Sequence, residues 1–158
     1  MGRLIHADGD IYVGEWRNNK ANGRGTYKHF DGQVYEGHWE NDKQHGRGVE
    51  IWQDGAKYEG DYVKGRKQGK GKFEWGDGAS YYGDFQNNDI QGHGRYTWAD
   101  GRAYEGEWFA NKMHGYGVFS YPDGRQYEGY YMNDKKNGSG VMTMPDGRKF
   151  EGEWKNGR

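Results

Sequence analysis

The stretch YEGEWFANKMHGYGVFSYPDGRQ, Tyr104–Gln126, decides how this chain is read. In its first five residues Tyr104, Gly106 and Trp108 fall on one side of an extended backbone, and Glu105 and Glu107 on the other. That period of two marks a strand, and Gly115, Gly117, Phe119 and Tyr121 mark a second one. After Tyr121 come Pro122, Asp123 and Gly124. Pro fixes φ for the first turn position, Asp tolerates the next, and Gly supplies the left-handed residue that closes a three-residue hairpin loop.

The same unit recurs along the whole chain. Asp-Gly pairs stand at Asp8, Asp31, Asp54, Asp77, Asp100, Asp123 and Asp146, always 23 residues apart. Counting each repeat from its first aromatic (Tyr12, Tyr35, Tyr58, Tyr81, Tyr104, Tyr127, Phe150), position 5 is always aromatic. Glycine occupies positions 3, 12, 14 and 21, and only Gly65, Gly76 and Gly157 lie outside those columns. A fixed period of this length is the signature of a repeat architecture. We read residues 1–158 as one array, with six full repeats from Tyr12 and a half repeat at each end.

Two short strands per repeat with short connections build an antiparallel meander. The Asp-Gly loop sets position 16 opposite the next repeat's position 1, 14 opposite 3, and 12 opposite 5. The other connection, positions 6 to 11, reads as a six-residue loop that closes with the same pairing. One face then carries a glycine furrow between two aromatic ridges. One ridge is formed by the position-5 rings. The other is formed by positions 1 and 16 and, beyond them, Trp52, Trp75, Trp98 and Tyr121 at position 18. Glycine there serves either packing, by letting rings fold over the gap, or a groove that admits a partner. A one-layer ribbon has to bury its rings laterally, curl, dimerise or present them to a partner.

Composition narrows the function. The 158 residues carry 23 Lys+Arg against 24 Asp+Glu, a balance that removes the electrostatic case for nucleic-acid binding. A mean hydropathy of −1.37 would suit a disordered chain, but 17% aromatic residues interleaved with glycine do not. No apolar run is long enough to span a bilayer, and cysteine is absent, which fits a reducing, cytoplasmic setting.

No chemistry stands out. Pairs such as Gly23-x-Gly25 lie within strands and lack the Lys-Ser/Thr and helix of a phosphate loop. Glu105 and Glu107 repeat down the array as solvated strand residues, not as a catalytic pair. His6 and His29 stand a repeat apart, too distant for one metal. We expect no enzyme activity, cofactor or metal. The Asp column reads as turn stabilisation. Position 9 lines an edge with Lys20, Lys43, Arg66, Lys112, Lys135 and Arg158, spaced so that they could meet an anionic membrane.

These residues resemble the MORN (membrane occupation and recognition nexus) repeat. Tyr104–Gln126 is similar to that family's pattern of Tyr-Glu-Gly-Glu-Trp, a basic residue, His-Gly-x-Gly and Asp-Gly, and the likeness covers essentially the whole chain. Val13 and Tyr82 depart from the acid at position 2, Glu50 interrupts an apolar row, and Asp89 replaces the basic residue of position 9. The resemblance implies an elongated, twisted, single-layer antiparallel meander with an aromatic, glycine-floored groove, often dimerising and without catalysis. Similar arrays occur in radial-spoke and other axonemal proteins, in cytoskeletal scaffolds and in junctophilins.

The leading expectation is a protein-interaction scaffold in a cytoskeletal or ciliary assembly. It would hold a partner segment along Trp52, Trp75, Trp98, Tyr121, Trp108 and Tyr104. Two alternatives stand beside it: a phosphoinositide- or membrane-tethering array using the position-9 cations, and the regulatory repeats of a larger enzyme such as a phosphatidylinositol phosphate kinase.

Overall fold

The computed structural model describes residues 2–155, and all of their regular structure is β-strand. The strands lie in chain order in one antiparallel sheet. The chain divides into two compact units. The first runs to Gly76 and takes in Gln86–Asn88. Its strands are β1 (Gly2–Ile5), β2 (Ile11–Arg17), β3 (Lys20–Lys28), β4 (Val34–Glu40), β5 (Lys43–Ile51), β6 (Lys57–Val63) and β7 (Arg66–Glu74). The second unit, from Asp77, holds β8 (Ser80–Gln86), β9 (Asp89–Thr97), β10 (Ala103–Phe109), β11 (Lys112–Ser120), β12 (Gln126–Met132), β13 (Lys135–Thr143) and β14 (Lys149–Trp154).

The Asp-Gly connection forms as its residues dictate. Between β11 and β12 the Tyr121 N–H donates to the Arg125 carbonyl at 2.9 Å, and the Gly124 N–H to the Tyr121 carbonyl at 3.1 Å. Gly124 sits at φ +96°. The Asp123 carboxylate accepts the Arg125 N–H at 3.0 Å, so the aspartate column locks its turns. The pairing that follows sets Phe119 opposite Tyr127, Gly117 opposite Gly129 and Gly115 opposite Tyr131.

The other connection corrects the expected six-residue loop. Between β10 and β11, Ala110 and Asn111 form a two-residue turn with φ of 50° and 69°, and Asn133 and Asp134 repeat it at 50° and 70°. Two successive left-handed residues give the tight turn whose twist matches the strands it joins. Tyr104 still faces Phe119 and Gly106 faces Gly117, but Trp108 faces Met113 where Gly115 was expected. The residues freed from the loop become a bulge beside Glu107, with Gly115 at φ +100°. Glu107 is therefore not simply solvated, since its carboxylate accepts the Tyr116 N–H at 2.8 Å. Glu15 and Asp84 do the same for Arg24 and His93.

Successive turns also grip one another. The Asp134 carboxylate accepts the Met113 N–H at 2.8 Å, while the Asp134 N–H donates to the Met113 carbonyl at 3.0 Å. Asp42 and Ala21 repeat this in the first unit.

The core lies on one face of the sheet. Tyr12, Tyr35 and Tyr58 in the first unit, and Tyr81, Tyr104 and Tyr127 in the second, are at most 2% exposed. Each hydroxyl donates to the carbonyl three residues on, as Tyr104 does to Glu107 at 3.0 Å. Each ring covers the position-14 glycine beside it: a Cβ on Gly117 would stand 2.3 Å from the Tyr104 ring. The glycine floor is thus roofed by tyrosine. Tyr104 also meets Trp108 and Tyr131 edge-to-face, both at 5.2 Å, and Tyr35 meets Trp39 and Tyr62 in the same way. In this way a single layer supplies its own second layer, from rings laid across the sheet.

Candidate binding surface

With the tyrosines committed to the core, the surface is what they leave uncovered. Trp108 is 6% exposed and its Nε1–H donates to the Gly94 carbonyl at 3.1 Å, while Tyr104 is 0% exposed. This corrects their reading as contact residues: burial makes them supports. Trp52, Trp75, Trp98 and Tyr121 are each half-buried.

In the second unit these rings form a chain. Tyr96 and Trp98 lie 4.6 Å apart, Trp98 and Phe119 5.2 Å, and Phe119 and Tyr121 4.8 Å. A concavity of about 290 Å³ is lined by Trp98, Phe119, Tyr121, Arg102, Lys135 and Lys136, among others. Lys136 pairs with Tyr131 across β12 and β13, which places it on the aromatic face. Its Nζ donates to the Tyr121 hydroxyl at 3.2 Å and stands 5.2 Å from the Tyr127 ring. Arg102 and Arg125 sit over Trp98 and Tyr121 at 5.4 and 4.5 Å, and each also pairs with an aspartate of its own turn.

The first unit is built alike but charged differently. Trp52 stacks on Phe73 at 5.3 Å and Phe73 meets Trp75 at 4.5 Å. Lys67 stands 5.3 Å from the rings of both Trp52 and Tyr58. Burial there draws its pKa down, and the Glu50 charge opposes that shift. Glu50, the acid in the apolar row, is 7% exposed and accepts hydrogen bonds from Tyr62, at 2.5 Å, and from Gln33. Beside Trp52 a concavity of about 430 Å³ is rimmed by Asp31 and Asp54.

Also in the position-18 row, His29 approaches the Asp10 carboxylate at 3.5 Å. Asp10 accepts the Phe30 N–H at 2.7 Å and the Tyr27 hydroxyl at 2.9 Å. The Phe30 N–H, foremost, holds the Asp10 pKa below its ordinary value, while burial first pushes Tyr27 up to about 12. A depressed carboxylate stabilises the fold above its unfolded pKa, and that contribution is lost as pH falls through the lowered value. Urea titrations between pH 5 and 2 should therefore show Asp10→Asn with a flatter acid limb than the wild type. Parallel acid limbs would remove Asp10 from the account.

The position-9 cations Lys20, Lys43, Arg66, Lys112 and Lys135 are exposed where the odd-numbered strands begin. None of these five has an ion pair among the described residues. Asp89 interrupts their row and accepts from Asn111 at 2.9 Å. Arg158 lies outside the described residues. No group of His, Asp or Glu among the described residues could hold a metal.

Fold and surface together define a β-repeat array that displays aromatic rings. The MORN repeat pattern matches residues 12–34, 35–57, 58–80, 81–101, 104–124, 127–147 and 150–158. The chain belongs to the MORN repeat family. No curated protein matches it in sequence. Among solved structures it is similar in fold to the TCP domain of Drosophila melanogaster SAS-4 (dCPAP), solved in complex with a proline-rich motif of Ana2 (dSTIL). That likeness has a TM-score of 0.58 at 12% identity, over 96% of this chain and 83% of that one. The TCP10c domain of Drosophila melanogaster Sas-4 gives a TM-score of 0.52 at 14% identity, over 97% and 91%.

Proposed function

We propose that this chain is a non-catalytic scaffold that holds a segment of another protein against its half-buried aromatics, within a cytoskeletal assembly. The carrying observation is that Trp98 and Tyr121, joined through the buried Phe119 ring, are left partly open while every neighbouring tyrosine of position 1 is buried. Partly exposed Trp and Tyr beside cations are the residues that dominate protein interfaces. The similar SAS-4 domain, which holds a proline-rich motif of Ana2, lends the reading support, and its fold is the ground for the cytoskeletal setting.

Affinity capture with the full chain tests this. Trp98→Ala with Tyr121→Ala should cut partner recovery at least about tenfold while circular dichroism keeps the strand signature. Undiminished recovery by the folded variant would remove this surface from the function.

A second reading rests on the unpaired position-9 lysines, which could meet anionic lipid. It requires salt-sensitive co-sedimentation with phosphoinositide vesicles that disappears in Lys112→Glu with Lys135→Glu. Sedimentation indifferent to those changes rejects it.

A further inference from the structure

We infer that the ligand of the second unit is an acidic, proline-rich segment in the polyproline II conformation, running across the strands over Trp98 and Tyr121. The inference rests on the scaffold reading above and specifies its partner.

Its first ground is spacing. Trp98 and Tyr121 occupy the same position in adjacent repeats, two strands apart in the sheet. Two strand spacings amount to about 9.6 Å. A polyproline II helix turns once in three residues and rises about 9.3 Å in doing so. Each turn of such a segment therefore meets one repeat, and the same face of the ligand returns to each ring. An extended strand returns the same face after about 6.8 Å and falls out of step at the second repeat. An α-helix returns the same face after about 5.4 Å, or about 10.8 Å for two turns, and matches the interval less closely.

Its second ground is surface chemistry. Trp98 and Tyr121 are half-buried, and proline-rich segments dock in aromatic-lined grooves of this kind because their helix is already ordered before binding.

Its third ground is charge. Arg102 is neutralised by Asp100 at 2.8 Å, and Asp134 has one carboxylate oxygen committed to the Met113 N–H. Lys135 has no described partner, and Lys136 donates to a tyrosine hydroxyl, not a carboxylate. Two lysines against one partly engaged carboxylate favour an acidic residue on the side of the segment turned toward Lys135 and Lys136.

The test titrates the full chain with three synthetic peptides of four triplets each, Glu-Pro-Pro, Glu-Gly-Gly and Lys-Pro-Pro, and follows tryptophan fluorescence. Glu-Pro-Pro should bind at least about tenfold tighter than either other peptide. Trp98→Ala should remove that advantage. Lys135→Glu, an exposed change that leaves the core untouched, should weaken Glu-Pro-Pro and strengthen Lys-Pro-Pro. Equal binding of Glu-Gly-Gly overturns the polyproline conformation, and equal binding of Lys-Pro-Pro overturns the acidic character. If none of the three binds, the inference fails. Trp98-dependent capture of a protein would then leave the scaffold reading standing, and its absence would remove both.

Discussion

Replacing Tyr104 with alanine is expected to cost about 3–5 kcal/mol of stability, against about 1 kcal/mol for Tyr104→Phe. The difference separates the two parts of the side chain. The hydroxyl makes one hydrogen bond, to the Glu107 carbonyl. The ring roofs Gly117 and wedges between Trp108 and Tyr131, joining adjacent repeats. In a repeat protein the bonds between neighbours supply much of the cooperativity, so the alanine variant should also broaden the transition. Urea denaturation followed by far-ultraviolet circular dichroism measures both effects. Near-equal losses for the two variants would mean that the rings are not what holds the repeats together.

The second large effect is expected at the glycine beneath that ring. A methyl group on Gly117 would stand 2.3 Å from the Tyr104 ring, so Gly117→Ala must displace the ring or the strand. Overpacking of this kind typically costs about 1–3 kcal/mol and occasionally more, and a site with backbone below and a wedged ring above belongs at the upper end. Gly152→Ala is the control, because nothing lies within 4 Å of its added carbon. It should change stability by no more than about 0.5 kcal/mol. A double-mutant cycle completes the argument. With Tyr104→Ala in place, the added cost of Gly117→Ala should largely vanish, because the methyl then enters the space that the ring vacated. Additive losses would show that the glycine serves the backbone and not the ring.

Both predictions concern features only half legible in the sequence. The 23-residue period, the two strands per repeat and the loop at Pro122-Asp123-Gly124 follow from alternation and turn chemistry alone, and all appear in the structure. That tyrosine at position 1, not the position-5 ring, covers the glycine is settled by side-chain torsion, which alternation does not encode. Hence Tyr104 and Trp108 read from sequence as contact residues but lie in the core.

The turn at Asn133-Asp134 had a signal, because Asn and Asp tolerate the left-handed region that a two-residue hairpin demands. Reading positions 6 to 11 as an unpaired loop hid it. The consequence reaches the binding surface. The two-residue turn draws position 10 into the strand opposite position 5, on the aromatic face, so a loop reading leaves Lys67 and Lys136 out of the expected site. The Asp-Gly loop fixes the register of Trp52, Trp75, Trp98 and Tyr121, and all four are half-buried.

The face bearing Trp98 is the one expected to meet the partner. A photo-crosslinking amino acid placed in the full chain at Trp98 or at Tyr82, which is 62% exposed, tests it inside the cell. A discrete crosslinked protein is expected from position 98 and none from position 82. Crosslinks from position 82 with none from position 98 would contradict it.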